Sequence, residues 1–67
     1  MLEYNGLRIA GKSYTDGKEV IKVEVQRYRT ILHHSYNGHS AGHTILSYDA
    51  AKKEIQDCID ILGFTEI

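Results

Sequence analysis

The sequence predicts an α+β domain, a three-stranded antiparallel β-meander (β-β-β-α) with one C-terminal helix packed on one face. Three observations carry that expectation. The segment EVIKVEV alternates apolar and charged residues, the rhythm of a strand buried on one side. Two hairpin signals, TDGK and the Asn37-Gly38 pair, stand on either side of it. From Ser47 onward the apolar spacing lengthens to that of a helix.

The first strand is read from GLRIAGKSY, where Leu7 and Ile9 keep the period-two rhythm. A three-residue loop, Thr15-Asp16-Gly17, would place Gly17 at the left-handed position that such loops favour. That register sets Leu7 against Val25, Ile9 against Val23 and Gly11 against Ile21, with all three pairs on one face. In the second strand Ile21, Val23 and Val25 point inward and Lys22, Glu24 and Gln26 outward. The strand is expected to run on to Tyr36. Its parity then brings Arg27 and Arg29 to the core side, between Val25 and Ile31. An end left uncovered by the helix is the preferred explanation over a bulge near Arg27.

Asn-Gly is the strongest short hairpin signal. It should set Tyr36 against His39, His34 against Ala41, Leu32 against His43 and Thr30 against Ile45, so that the third strand ends near Leu46. Beyond it Ala51, Ile55, Cys58, Ile59 and Leu62 form one helical stripe. Ser47 can cap the first turn, and Asp49 sits where the helix dipole favours an anion. Gly63 closes the helix as a left-handed cap, with Phe64 placed for the accompanying apolar contact.

With 67 residues the chain makes one domain, residues 1–67, and a chain this short buries only ~60% of its unfolded surface. Burial at about 25 cal/mol per Å² is then nearly cancelled by chain entropy, so self-association is expected. A single cysteine, Cys58, excludes an internal disulfide and suits a reducing, cytoplasmic setting. No apolar run approaches the ~18 residues of a membrane span, and the N-terminus lacks a signal-peptide stretch. The chain therefore reads as complete and untargeted, with no membrane partner.

The net charge of −1 argues against indiscriminate nucleic-acid binding, which depends on Lys and Arg neutralising phosphates. The charge is unevenly spread. Residues 1–48 carry six Lys/Arg against four Asp/Glu, and residues 49–67 carry two against five. A sheet followed by a helix would thus have a mildly basic side and an acidic one.

All four histidines fall in HHSYNGHSAGH, residues 33–43. The predicted register puts His34, His39 and His43 on one face and His33 on the other. Along a strand His39 and His43 lie roughly 13 Å apart, too far for one metal to take all three without strain. The helical zinc-protease pattern also fails, because Gly42 interrupts HSAGH and no Glu adjoins it. No metal or cofactor is expected. The alternatives are a solvated polar hairpin, or an anion-binding or pH-sensitive loop formed by His34, His39 and His43 with the glycine backbone.

The same register gathers Tyr4, Arg8, Lys12, Tyr14, Lys22, Gln26, Tyr28, Thr30, Leu32, Tyr36 and Ile45 on the face away from the helix. Tyr and Arg combine contact area with hydrogen-bonding reach and are enriched where proteins meet. Tyr4, Arg8, Lys12, Tyr14, Lys22, Tyr28 and Tyr36 are accordingly the expected partner-binding residues. No catalytic set is expected. Cys58 lies on the buried stripe, and Glu54, Asp57, Asp60, Lys52 and Lys53 read as a solvated helix face.

These features point to a non-catalytic binding module whose partner is a protein or a second copy, acting through the open face or a strand edge. A phage or mobile-element inhibitor of a host component is one such role. Nucleic-acid binding through the basic and aromatic face is the alternative. In outline, a three-stranded sheet backed by a C-terminal helix resembles the arm-type DNA-binding domains of tyrosine recombinases, a likeness of topology that carries no residue over. Sequestration of a small phosphorylated ligand at an oligomer interface is a third reading.

Overall fold

The computed structural model describes residues 8–67. Its elements run β1 (Ser13–Thr15), β2 (Glu19–Val25), β3 (Thr30–Tyr36), β4 (His39–Leu46), α1 (Tyr48–Leu62) and β5 (Thr65–Glu66). The sheet is antiparallel and five-stranded, in the order β4-β3-β2-β1-β5. The α+β class and the single helix are as expected, but the meander has four strands, and a fifth returns to the far edge after the helix.

The largest departure lies in the middle of the expected long strand. Gln26, Arg27, Tyr28 and Arg29 form a turn, closed by the Gln26 N–H donating to the Arg29 carbonyl at 2.8 Å. Neither Arg27 nor Tyr28 takes a positive φ, so the turn needs no Gly or Asn. Val25 pairs with Thr30, Val23 with Leu32 and Ile21 with His34. Odd residues of β2 therefore share a face with even residues of β3. Arg27 and Arg29 reach solvent from a turn, not from an uncovered strand end, and Thr30 and Leu32 are buried on the helix side instead of lying open.

The first hairpin also shifts. Ser13 pairs with Lys22, Tyr14 with Ile21 and Thr15 with Val20. The Asp16 carboxylate accepts from the Lys18 and Glu19 N–H groups at 2.9 and 2.8 Å, and Gly17 takes the positive φ expected of it, 104°. This register brings Tyr14 into the core at 1% exposure, which corrects its expected place on the open face. Ile9 is buried but outside the sheet, because the chain bends at Gly11, where the Lys12 N–H donates to the Ile9 carbonyl at 3.1 Å. The expected pairing of Leu7, and Tyr4 on the open face, lie outside the described residues.

The Asn37-Gly38 turn forms as predicted, with φ of 52° and 83°, and sets Tyr36 against His39. The register then slips. Ser35 pairs with Ser40 but His33 pairs with His43, so β4 holds one extra residue at Ala41-Gly42, with Gly42 at φ 98°. Leu32 consequently faces Thr44, and Thr30 faces Leu46, where His43 and Ile45 were expected.

The helix begins and ends where the sequence places it. Ser47 Oγ accepts from the Ala50 N–H at 3.2 Å, and Gly63 is left-handed at φ 76°. The Phe64 N–H donates to the Cys58 carbonyl at 3.0 Å as Phe64 enters the core. Ala51, Ile55 and Cys58 pack on Tyr14, Ile21, Val23 and Leu32. Two positions depart from expectation: Leu62 is left outside the core at 64% exposure, and Lys52 is buried, its ammonium 5.4 Å from the centroid of the Tyr48 ring.

Two hydroxyls in this interior, Tyr14 Oη and Thr30 Oγ1, are buried without a hydrogen-bond partner among the described residues. Burial, with Glu66 and Tyr48 nearby, pushes the Tyr14 phenol above its ordinary pKa. Ile55→Ala should lower unfolding free energy by roughly 2 to 5 kcal/mol in urea denaturation, because Ile55 sits at the centre of the helix-sheet contact. Tyr14→Phe removes an unsatisfied group and keeps the ring, so the same measurement should show stability unchanged or raised by up to about 1 kcal/mol.

Candidate functional site

Register alone assigns the faces. The face away from the helix carries Lys22 and Glu24 from β2, Ile31, His33 and Ser35 from β3, and Ser40, His43 and Ile45 from β4. Ile31 is buried there, apart from the main core, between its cross-strand neighbours Glu24 and Ile45. The histidines divide two and two. The bulge in β4 puts His43 with His33 on this face, whereas His34 and His39 lie on the helix side, which corrects the expected His34, His39 and His43 set.

A line of side-chain contacts crosses the open face from the turn to the sheet edge. Arg29 Nε donates to Gln26 Oε1 at 2.7 Å, and Gln26 Nε2 donates to Glu24 Oε2 at 2.9 Å. The other Glu24 oxygen lies 2.7 Å from His33 Nε2. An ionised carboxylate only accepts, so this ring nitrogen carries the hydrogen. The His33 and His43 rings follow, with centroids 6.3 Å apart. Bonds from Gln26 and His33, with the charge of Arg29, hold the Glu24 carboxyl below its ordinary pKa.

His34 is fixed differently, with Nδ1 3.1 Å from Glu19 Oε2 and Nε2 3.0 Å from Thr44 Oγ1. Glu19, His34 and Thr44 thereby tie β2, β3 and β4 together on the helix side. Among the described residues no group of three or more His, Cys, Asp or Glu is placed to hold a metal ion. No helix among them is long and apolar enough to cross a membrane. Cys58 is buried, and burial together with Glu54, Glu19, Asp57 and Asp16 pushes its thiol pKa up, the reverse of what a nucleophilic thiolate requires.

The residues expected to meet a partner are therefore dispersed. Lys22 lies on the open face, Tyr28 tips the turn at 88% exposure, and Tyr36 is half-exposed on the helix side. Arg8 is exposed ahead of the sheet, and Lys12 reaches across the edge to Glu66 at 3.2 Å. What the sequence reading missed is the turn itself. The Arg27 guanidinium stands 5.7 Å from the Tyr28 ring centroid, a cation-π distance. An open depression of about 600 Å³ is lined by Ala10, Gly11, Lys22, Glu24, Val25 and His33, among others, and a separate one by Gln26, Arg27, Tyr28 and Arg29. The signal was present in the sequence, since a strand from 19 to 36 is about three times the usual length of 5 to 6 residues.

Compared with known proteins, the chain matches no family model, and neither a curated protein nor a solved structure is significantly similar to it. The five-stranded sheet also departs from the three-stranded outline behind the likeness to arm-type recombinase domains.

The hydrogen-bonded line gives a pH test. Because the folded state depresses the Glu24 pKa, its contribution to stability is present above the ordinary carboxylate range and fades as pH falls through the lower folded value. A carbon-detected NMR titration should place the Glu24 midpoint below that of an exposed glutamate, and Gln26→Ala should move it back up.

Proposed function

We propose that this chain is a non-catalytic binding module that presents the Arg27-Tyr28-Arg29 turn and the adjoining open sheet face to a partner protein. The observation that carries the reading is Tyr28, the most exposed of the large apolar side chains among the described residues, standing between two arginines on a turn braced by the Gln26 backbone and side chain. Tyr and Arg anchors dominate binding energy at protein interfaces when they are held in place before contact. Glu24 already accepts two side-chain bonds, so the groups left to offer around the turn are mainly donors, on Arg27, Arg29 and Lys22. They suit a partner surface rich in carboxylates. A module of this kind acts by occupying its partner, which is also how a small phage or mobile-element inhibitor would work, and its lone thiol suits the cytoplasm.

The same turn supports nucleic-acid binding as a second reading, because two arginines and a stacking-competent Tyr28 can meet phosphates and bases. Salt separates the two. Affinity for an oligonucleotide that falls linearly in log-log form with salt, with a slope set by the phosphates neutralised, would favour nucleic acid, whereas a carboxylate-rich protein partner should show a shallower dependence and keep the part of its affinity that Tyr28 supplies.

Photo-crosslinking from position 28 should capture the partner, and crosslinking from the exposed Asp60 should not. Tyr28→Ser should weaken that association at least tenfold while leaving thermal unfolding unchanged. Unfolding of the Tyr28→Ser chain would place Tyr28 in the core and end this reading.

A further inference from the structure

The two edges of the sheet are built differently. The β5 edge is two residues long and carries Glu66, ion-paired with Lys12, and both shortness and charge are features that discourage strand addition. The β4 edge is eight residues long, exposed along all but its last residue, and has no Lys, Arg, Asp, Glu or Pro. Only the bulge at Ala41-Gly42 interrupts it, which leaves His43 to Leu46 as an unbroken segment.

Alternation of the ladder shows which peptide groups this edge offers. The Val23 N–H donates toward β1, to Lys12, and the Gln26 N–H donates the other way, to Arg29. Even residues of β2 therefore bond toward β3. Carried across the sheet, Thr30, Leu32 and Tyr36 bond toward β4, and on β4 Thr44 and Leu46 bond back. His43 and Ile45 are left with N–H and C=O groups directed outward.

We propose that this edge pairs with the same edge of a second copy, antiparallel, about a two-fold axis through Thr44. His43 of each chain then lies opposite Ile45 of the other, and the four outward peptide groups of each chain meet their complements. An antiparallel edge is complementary to itself in this register, and the absence of fixed charge on the strand lets two copies approach without repulsion. Half-exposed Ile45 comes against the imidazole of His43 from the second copy, extending the His33-His43 row across the seam. The pairing goes beyond the partner-binding reading, since it uses neither the turn nor a foreign partner.

Sedimentation velocity from micromolar to millimolar concentration tests it. The expected result is a mass that rises from monomer to dimer and stops there, with amide protection at His43 and Ile45 appearing along with the dimer. Ile45→Pro deletes an outward donor without removing an internal ladder bond, and Ile45→Lys puts charge on the edge. Both variants should remain monomeric at every concentration, while Tyr28→Ser should dimerise like the unaltered chain. A chain that is monomeric throughout, growth past the dimer, or an Ile45→Lys variant that dimerises normally would each overturn the proposal. Loss of fold in Ile45→Pro leaves Ile45→Lys and the amide protection to decide.

Discussion

The Gln26 to Arg29 turn sets the arrangement of everything C-terminal to it. An even-length reversal makes each residue of β2 share a face with a β3 residue of opposite parity, so Thr30 and Leu32 join Val23 beneath the helix. Ile31 and His33 go to the other side. A strand running straight through would have turned Thr30 and Leu32 to solvent and two guanidinium groups toward the core, at a desolvation cost that no partner there could offset. The turn thus resolves the core and exposes Arg27, Tyr28 and Arg29 in one step.

Beneath it lies a small interior closed by one helix. Ile55 and Ala51 are completely covered, and the helix is locked at both ends, by the Ser47 cap and by the Gly63 and Phe64 closure. Stability in a domain of this size rests on few side chains. Burial of Tyr14 and Thr30 hydroxyls without partners works against it, and the surface ion pairs Lys12-Glu66 and Lys53-Asp57 add little in return. The polar organisation is instead concentrated across the open face, where Arg29, Gln26, Glu24 and His33 restrain one another.

Legibility in the sequence followed how local each signal was. The helix from Tyr48 to Leu62 was readable because its caps and its Ala51, Ile55 and Cys58 stripe are all short-range, and Asn37-Gly38 was readable because both residues tolerate positive φ. The Arg27-Tyr28 turn carries no such residue, and the hints of it were the awkward parity of Arg27 and Arg29 and the excessive length of an unbroken strand from 19 to 36. β5 has no pattern of its own in two residues and exists because the helix returns the chain beside β1. Expected binding residues fared accordingly: Lys22 lies on the open face foreseen for it, Tyr28 is exposed on a turn and not on the sheet face, and Tyr14, assigned on a register three residues out, became core.

The extra residue at Ala41-Gly42 acts as a phase shift in the chain's inside-outside alternation. Upstream of it Ser40 shares the open face, and downstream His43 and Ile45 do so as well, although three and five positions would otherwise have carried them to different sides. Leu46 packs against the core and Ser47 starts the helix immediately beyond, so the phase is handed directly to α1 with no loop to absorb an error. Losing one residue here would restore ordinary alternation and leave Ser40, His43 and Ile45 on the open face with His43 still opposite His33, whereas a deletion elsewhere in the strand would exchange the faces beyond it. The bulge is therefore a point of this edge where the chain can lose a residue without exchanging inside for outside, whereas a single deletion between His43 and Leu46 would turn the start of α1 away from the phase the core requires.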